Sequence, residues 1–414
     1  MHSPFPALPT ANMRRYLAVA ALFTVFVLSC ADEFAGGSNI RRRKPPATSL
    51  CAELIRPAGY PCTEHIAETK DGYLIGLQRV SARSVSIRRS TGQPVLLLHG
   101  LMMSGDAWFL DSPNESLGFI LADHGFDVWA GSVRGTRWSR GHVFLSDKDK
   151  EFWDWSWQEL ALYDLPGMAS YISNVTNSKI FLVGHSQGTI MSLAAFTQPD
   201  IVSMIEAAAL LSPISYLDHI TAKFALKLVK LHIDEAFLTL GMHELNLKSN
   251  LLTWLLDMVC DEFINCGDLL TSITGKNCCF NRSRVDFYLD YEPHPTSTKN
   301  FNHLFQMIRH GTFKKYDYGI WKNLNLYGQR TPPNFDLSKI PKSLPLWMAY
   351  GGNDALADVT DFRHMLQELQ CKPELLYLED YGHIDFLLSV RSKEDIYDKM
   401  IEFFRSQREF SSSK

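Results

Sequence analysis

Ser186 stands in Gly184-His185-Ser186-Gln187-Gly188, directly after the apolar run Ile180-Phe181-Leu182-Val183 and before a helix-compatible stretch from Thr189 to Phe196. A strand that turns sharply into a helix presents its turn residue at the sheet edge, and side chains in place of the two glycines would strike the neighbouring strand or helix. The helix N-terminus favours negative charge beside Ser186. A serine hydroxyl is a weak nucleophile at neutral pH, so it needs a base, and the base needs a group that fixes its tautomer. Both follow in the order Ser, Asp, His. Asp354 comes after the apolar run at 346–350 through Gly351-Gly352-Asn353, and His383 comes after the run at 375–378 in Asp380-Tyr381-Gly382-His383. The 29 residues from Asp354 to His383 hold one helix (361–369) and one strand. Such a set performs acyl transfer.

Acyl transfer also needs N–H groups aimed at the developing oxyanion, each worth about 10²–10³ in rate. The backbone amide of Gln187 is one candidate donor, and that of Leu101, in the turn His99-Gly100-Leu101-Met102, is the other. Asp358, Asp361 and Asp385 compete with Asp354 and read as capping or solvated residues. His99, His142 and His185 read as structural hydrogen-bonding groups, and Trp153, Trp155 and Trp157 as aromatic packing.

The elements that must position these residues are legible as short apolar runs at 73–80, 94–99, 126–130, 180–183, 207–211, 346–350 and 375–378, separated mostly by helical patterns. Val95-Leu96-Leu97-Leu98 is continuous in the manner of a strand buried on both faces. Strands alternating with helices predict a mainly parallel sheet, helix-covered on both faces. The rhythm breaks between 216 and 344, far longer than one crossover requires, and apolar positions there (Phe224, Leu226, Leu228 and Val229; Leu251, Leu252, Trp254, Leu255 and Met258) have helical spacing. A mostly helical cap is expected at 216–344, inserted between core segments 49–215 and 345–407, with a polar tail at 408–414.

With 414 residues, 46% apolar, the chain has room for a substantial core, which excludes general disorder. Its 41 basic against 45 acidic residues leave no electrostatic footprint for nucleic acid. Arg14 and Arg15 precede an apolar run at 17–28 and the small residues Ser29, Cys30 and Ala31, which reads as a signal peptide over 1–31, followed by a basic linker at 32–48. The run is too short for an integral membrane span. Met13 is an alternative start to Met1. The eight cysteines lack metal-site spacing and read as disulfide-forming, with Cys51 and Cys62 eleven apart and Cys260 and Cys266 six apart. Sequons at Asn114, Asn174 and Asn281 agree with a secretory route. No metal or cofactor is called for.

From 49 to 407 the sequence resembles the acid lipase family of α/β-hydrolases, which includes gastric and lysosomal acid lipases and plant triacylglycerol lipases. The likeness rests on Ala58-Gly59-Tyr60-Pro61-Cys62-Thr63-Glu64-His65, Leu98-His99-Gly100-Leu101, Val133-Arg134-Gly135, Phe152-Trp153-Asp154-Trp155-Ser156-Trp157, Tyr163-Asp164-Leu165-Pro166, Gly184-His185-Ser186-Gln187-Gly188, Asp354-Ala355-Leu356-Ala357-Asp358 and Gly382-His383-Ile384-Asp385-Phe386. It departs at Ser132-Val133 and Thr136, near which the family carries asparagines, so local hydrogen bonding is expected to differ there. The resemblance implies an α/β-hydrolase fold, Ser186 as nucleophile with Asp354 and His383 as partners, Leu101 and Gln187 as oxyanion donors, and a cap that controls access for lipid esters. The expected protein is a secreted lipase, or one in the lumen of a lysosome or vacuole, that acts on triacylglycerols or sterol esters at a lipid–water interface. A small-ester carboxylesterase and a non-catalytic ligand-binding protein are the alternatives, and the oligomeric state is open.

Overall fold

The structure is a computed structural model that describes residues 49–84, 92–248 and 269–412. The expected leader (1–31) and linker (32–48), Cys260 and Cys266, and the apolar positions at 251–258 lie outside the described residues. The strands are β1 (Cys62–Glu68), β2 (Tyr73–Val80), β3 (Pro94–Leu98), β4 (Asp127–Gly131), β5 (Gly141–His142), β6 (Ile180–His185), β7 (Ile205–Leu211), β8 (Glu244–Leu245), β9 (Thr296–Ser297), β10 (Leu346–Gly351) and β11 (Glu374–Leu378).

One sheet runs β1-β2-β4-β3-β6-β7-β10-β11, with β5 beside β2. Every neighbouring pair from β4 to β11 is parallel, whereas β1, β2 and β5 pair antiparallel. Alternation along each central strand explains the unbroken apolar runs. Val95 and Leu97 enter one layer with Val128, Phe181 and Trp347, while Leu96 and Leu98 enter the other with Trp129, Leu182 and Met348. The helices Leu165–Thr176 and Gln187–Phe196 cover the second layer, and Leu117–Asp123 and Asp398–Ser412 cover the first. This is the α/β-hydrolase fold, a mainly parallel sheet with helices on both faces.

β1 is absent from the apolar runs of the sequence because it is an edge strand: its residues are mostly exposed, and Ile66 is left to solvent. A disulfide from Cys51 to Cys62 staples the preceding turn to this strand. Cys278 and Cys279 are joined to each other, and Cys371 is free and buried. The last helix extends to Ser412, into the stretch read as a polar tail.

Between β7 and β10 lie the helices Lys223–Lys230, Ile233–Thr239, Leu269–Thr274, Val285–Tyr291, Thr298–His310 and Ile320–Tyr327, together with a small antiparallel ribbon of β8 and β9 that the helical spacing does not foretell. Among the described residues no helix is long and apolar enough to cross a membrane.

Trp153, Trp155 and Trp157 are all buried. Trp153 stacks near Trp155, and Trp157 lies against His303 and Phe313. Where asparagines were expected, Ser132 Oγ accepts from Gly105 N and Thr136 Oγ1 donates to the Val133 carbonyl. The neighbouring Arg134 is fully buried between Asp71 and Asp164, and Asp164 also accepts its backbone N–H. A buried cation needs such matched carboxylates to offset its desolvation.

Candidate active site

Three strand ends on the same edge of the sheet deliver the site. β6 ends at His185, and Ser186 follows with φ 54° and ψ −118°, a left-handed backbone that is strained for any residue with a side chain. The elbow is held by the Ser186 N–H, which donates to the Leu211 carbonyl at the end of β7, and by Thr189 Oγ1, which donates to the Ser186 carbonyl. A Cβ on Gly188 would lie 2.4 Å from the Leu98 carbonyl oxygen of β3, and one on Gly184 would lie 2.9 Å from the Gly188 carbonyl. The glycines are therefore fixed by backbone contact on both sides of the serine.

Asp354 follows β10 and His383 follows β11. His383 Nδ1 lies 2.8 Å from Asp354 Oδ2, and His383 Nε2 lies 2.7 Å from Ser186 Oγ. All three side chains are buried. Because a carboxylate can only accept, Nδ1 carries the proton and Nε2 is left to accept from the serine hydroxyl. Asp354 also accepts the N–H groups of Leu356 and Ala357. Burial pushes its carboxyl upward, but His383 and these two amides outweigh that and hold it below the usual carboxylate range. The His383 backbone is fixed from two sides, its N–H donating to the Thr274 carbonyl and its own carbonyl accepting from His185 Nε2.

The competing residues are occupied elsewhere. Asp358 caps the helix Val359–Glu368. Asp361 is buried and holds both the N–H and Nδ1 of His219. Asp385 is not solvated: it is fully buried and accepts the backbone N–H groups of Cys278, Cys279 and Gly382. His99 accepts from the Val133 N–H, and His142 accepts from Phe144 and Leu145. Burial drives His99 down to about 4 and, with the neighbouring His383, His185 to about 3, so both rings are neutral.

Leu101 and Gln187 border the same cavity as Ser186 and His383, about 260 Å³ in volume and lined mostly by apolar side chains such as Ile214, Phe224, Leu228 and Phe305. The Gln187 side chain accepts from Asn300 Nδ2, on the helix Thr298–His310, which turns it toward that helix.

The turn carrying Leu101 rests on residues the sequence did not single out. Met102 has φ 57°, and its carbonyl accepts the His294 N–H at 2.7 Å. His294 Nδ1 accepts from the Arg137 N–H, and Nε2 donates to Asp106 Oδ2, which also accepts from Trp138 Nε1. Burial raises the Asp106 carboxyl, yet His294 and Trp138 reverse this and hold it below the usual carboxylate range, whereas burial and the neighbouring Asp106 push Glu292 well above it. Asp106, Glu292 and His294 bring three potential metal-ligating atoms within 4.8 Å of one another. Both ring nitrogens of His294 are already committed to hydrogen bonds, so the arrangement is that of a hydrogen-bonded support. Only the position of Asp106 just after the Leu101 turn could have signalled it; Glu292-Pro293-His294 forms no recognisable pattern.

The fold and a serine–histidine–aspartate chain at its strand ends define an α/β-hydrolase. The sequence matches the families described as partial alpha/beta-hydrolase lipase region (residues 51–112) and alpha/beta hydrolase fold (residues 93–241). It is 60% identical to triacylglycerol lipase 1 of Arabidopsis thaliana, over 96% of this chain and all of that one. It is 34% identical to lysosomal acid lipase/cholesteryl ester hydrolase of Macaca fascicularis, over 93% and 98% of the two chains. It is 32% identical to gastric triacylglycerol lipase of Rattus norvegicus, over 92% and 98%. Among solved structures, a soluble variant of monoglyceride lipase from Saccharomyces cerevisiae matches with a TM-score of 0.55 at 14% identity, covering 83% of this chain and 96% of that one, which shows a shared fold. The chain belongs to the acid lipase family, with the plant triacylglycerol lipases and the gastric and lysosomal acid lipases, and is a carboxylic ester hydrolase.

Proposed function

We propose that the chain hydrolyses neutral lipid esters, triacylglycerols or sterol esters, through an acyl-enzyme formed on Ser186. The observation that carries this reading is the continuous hydrogen-bonded path from Asp354 through His383 to Ser186 Oγ, which opens into an apolar cavity. Ser186 Oγ attacks the ester carbonyl carbon while His383 Nε2 takes the hydroxyl proton, and Asp354 stabilises the imidazolium. The carbonyl oxygen becomes an oxyanion held by the N–H groups of Leu101 and Gln187. Its collapse breaks the bond to the alcohol, which leaves with the proton from His383. Water then attacks the acyl-enzyme, giving its proton to His383, and Ser186 is regenerated as the fatty acid departs. The acyl chain is bound by the apolar area it removes from water, at about 25 cal/mol per Å².

In this reading 49–215 and 345–407 form the catalytic body, and 216–344 form a cap over Ser186. The names of the plant, lysosomal and gastric relatives support lipid esters as substrates. The apolar run after Arg14-Arg15 and the exposed Asn114 and Asn174 support export to the cell exterior or to the lumen of a lysosome or vacuole. The test is turnover of emulsified triacylglycerol and of soluble acetate esters by the wild type and by Ser186→Ala. The expected result is a preference for long-chain emulsified esters that vanishes in the variant; a preference for acetate esters with no response to an oil–water interface overturns it.

A further inference from the structure

The helix Ile320–Tyr327 is turned inside out. Its single buried residue is Asn323, which accepts from the Tyr318 N–H and donates to Asp317 and to the Arg330 carbonyl. Its apolar side chains face outward: Trp321 is 85% exposed, Ile320 55% and Leu326 51%. With about 3.6 residues per turn, Ile320, Trp321 and Leu324 share one side. Surface helices ordinarily show the reverse pattern, and contiguous exposed apolar groups mark interaction sites.

The charge around this helix is also the reverse of the chain's. Residues 310–330 carry four cations (Lys314, Lys315, Lys322 and Arg330) against one carboxylate (Asp317), in a protein of net charge −4. His310, Lys314 and Lys315 line a groove of about 230 Å³, whose rim includes Asp317 and Thr331 at the two ends of the segment bearing the helix. The groove's other wall is the helix Thr298–His310, through Gln306 and His310. The opposite side of that same helix, through Phe301, Leu304, Phe305 and Ile308, lines the Ser186 cavity.

We propose that the Ile320–Tyr327 helix and the adjoining lysine-lined groove dock the enzyme on an anionic phospholipid surface. Trp321 and Ile320 enter the headgroup–acyl boundary, where an amphipathic aromatic ring is favoured, while Lys314, Lys315 and Lys322 meet lipid phosphates. The choice of a lipid surface as occupant rests on the lipid-ester reading above. Docking itself does not require the catalytic serine.

The test is co-flotation of the full chain carrying Ser186→Ala with vesicles of phosphatidylcholine alone and of phosphatidylcholine mixed with phosphatidylserine. Binding is expected only to the mixed vesicles, falling about tenfold with Trp321→Ala and about fivefold for each of Lys314→Gln and Lys315→Gln. With the catalytic serine restored, the same substitutions leave soluble-ester turnover unchanged. Equal binding to both vesicle types, or binding indifferent to these substitutions, overturns the inference. So does a shift from dimer to monomer with Trp321→Ala in sedimentation, which assigns the face to a second copy of the chain. Wild-type protein that hydrolyses emulsified lipid without patch-dependent binding defeats this inference alone; patch-dependent binding without hydrolysis defeats the proposed function alone.

Discussion

His294 Nε2 and Asp106 Oδ2 meet at 2.9 Å, with both side chains buried, directly behind the turn that presents Leu101. The His294 N–H grips the Met102 carbonyl, so the pair fixes a left-handed residue adjoining a proposed oxyanion donor. His294→Ala should lower kcat on a soluble ester by about 10²–10³, the loss expected for one oxyanion donor, with KM nearly unchanged. A purely structural role would lower the melting temperature and leave the kcat of the folded fraction intact. Steady-state kinetics beside thermal unfolding, repeated with Asp106→Asn, distinguishes the two.

Ser186→Ala and His383→Ala should each cost about as much as the double variant, because the two groups act as one unit. Multiplying losses would refute the coupling. Asp354→Asn should be severe, since it disturbs the His383 tautomer. Asp358→Asn should cost at most about 1 kcal/mol through a weakened helix cap. Single-turnover rates and denaturant midpoints for the five variants check the ranking.

His303 is enclosed by Trp157, Ser156 and the Lys314 carbonyl, and burial drives it down to about 3. Its folded value lies below the unfolded value of about 6.5, so below that pH the unfolded chain binds the extra proton. The stability it contributes is full above pH 6.5 and falls by about 1.4 kcal/mol per unit as the pH drops toward 3. Denaturant midpoints across this range should fall more steeply for the wild type than for His303→Gln. Equal slopes would show that the ring is not held neutral.

The Cys51–Cys62 bridge ties a turn to an edge strand that has little burial of its own. Replacing both cysteines by serine should cost about 2–4 kcal/mol while leaving kcat unchanged, because the bridge acts through the unfolded chain and lies away from the site. Chemical denaturation with parallel activity measurements tests this.

The legibility of the chain follows the physics of each part. The central strands announce themselves because both faces are buried, as in Val95 to Leu98, and the glycines around Ser186 do so because backbone atoms of β3 and of the following helix occupy the space of a side chain. β1 does not, since an exposed edge strand needs no apolar alternation. Asp385 misled for a related reason: three backbone N–H groups from its own turn and from a segment more than a hundred residues earlier make a buried carboxylate tolerable, and no local pattern records them. Asp106 and His294 are likewise invisible until the turn, the loop after Glu292 and Trp138 are brought together.

The strand order has a consequence for biosynthesis. Ser186 Oγ and His383 Nε2 are neighbours in space but belong to residues 197 positions apart. The elbow can form as soon as β3, β6 and β7 pair, yet β10 and β11, which bring Asp354 and His383, are the last strands to leave the ribosome. A nascent chain thus carries Ser186 through 197 further residues before His383 is made. The hydrogen-bonded path from Asp354 through His383 to Ser186 can close only when the sheet is completed at its far side, so for the function proposed above the topology delays assembly of the site until synthesis is nearly finished.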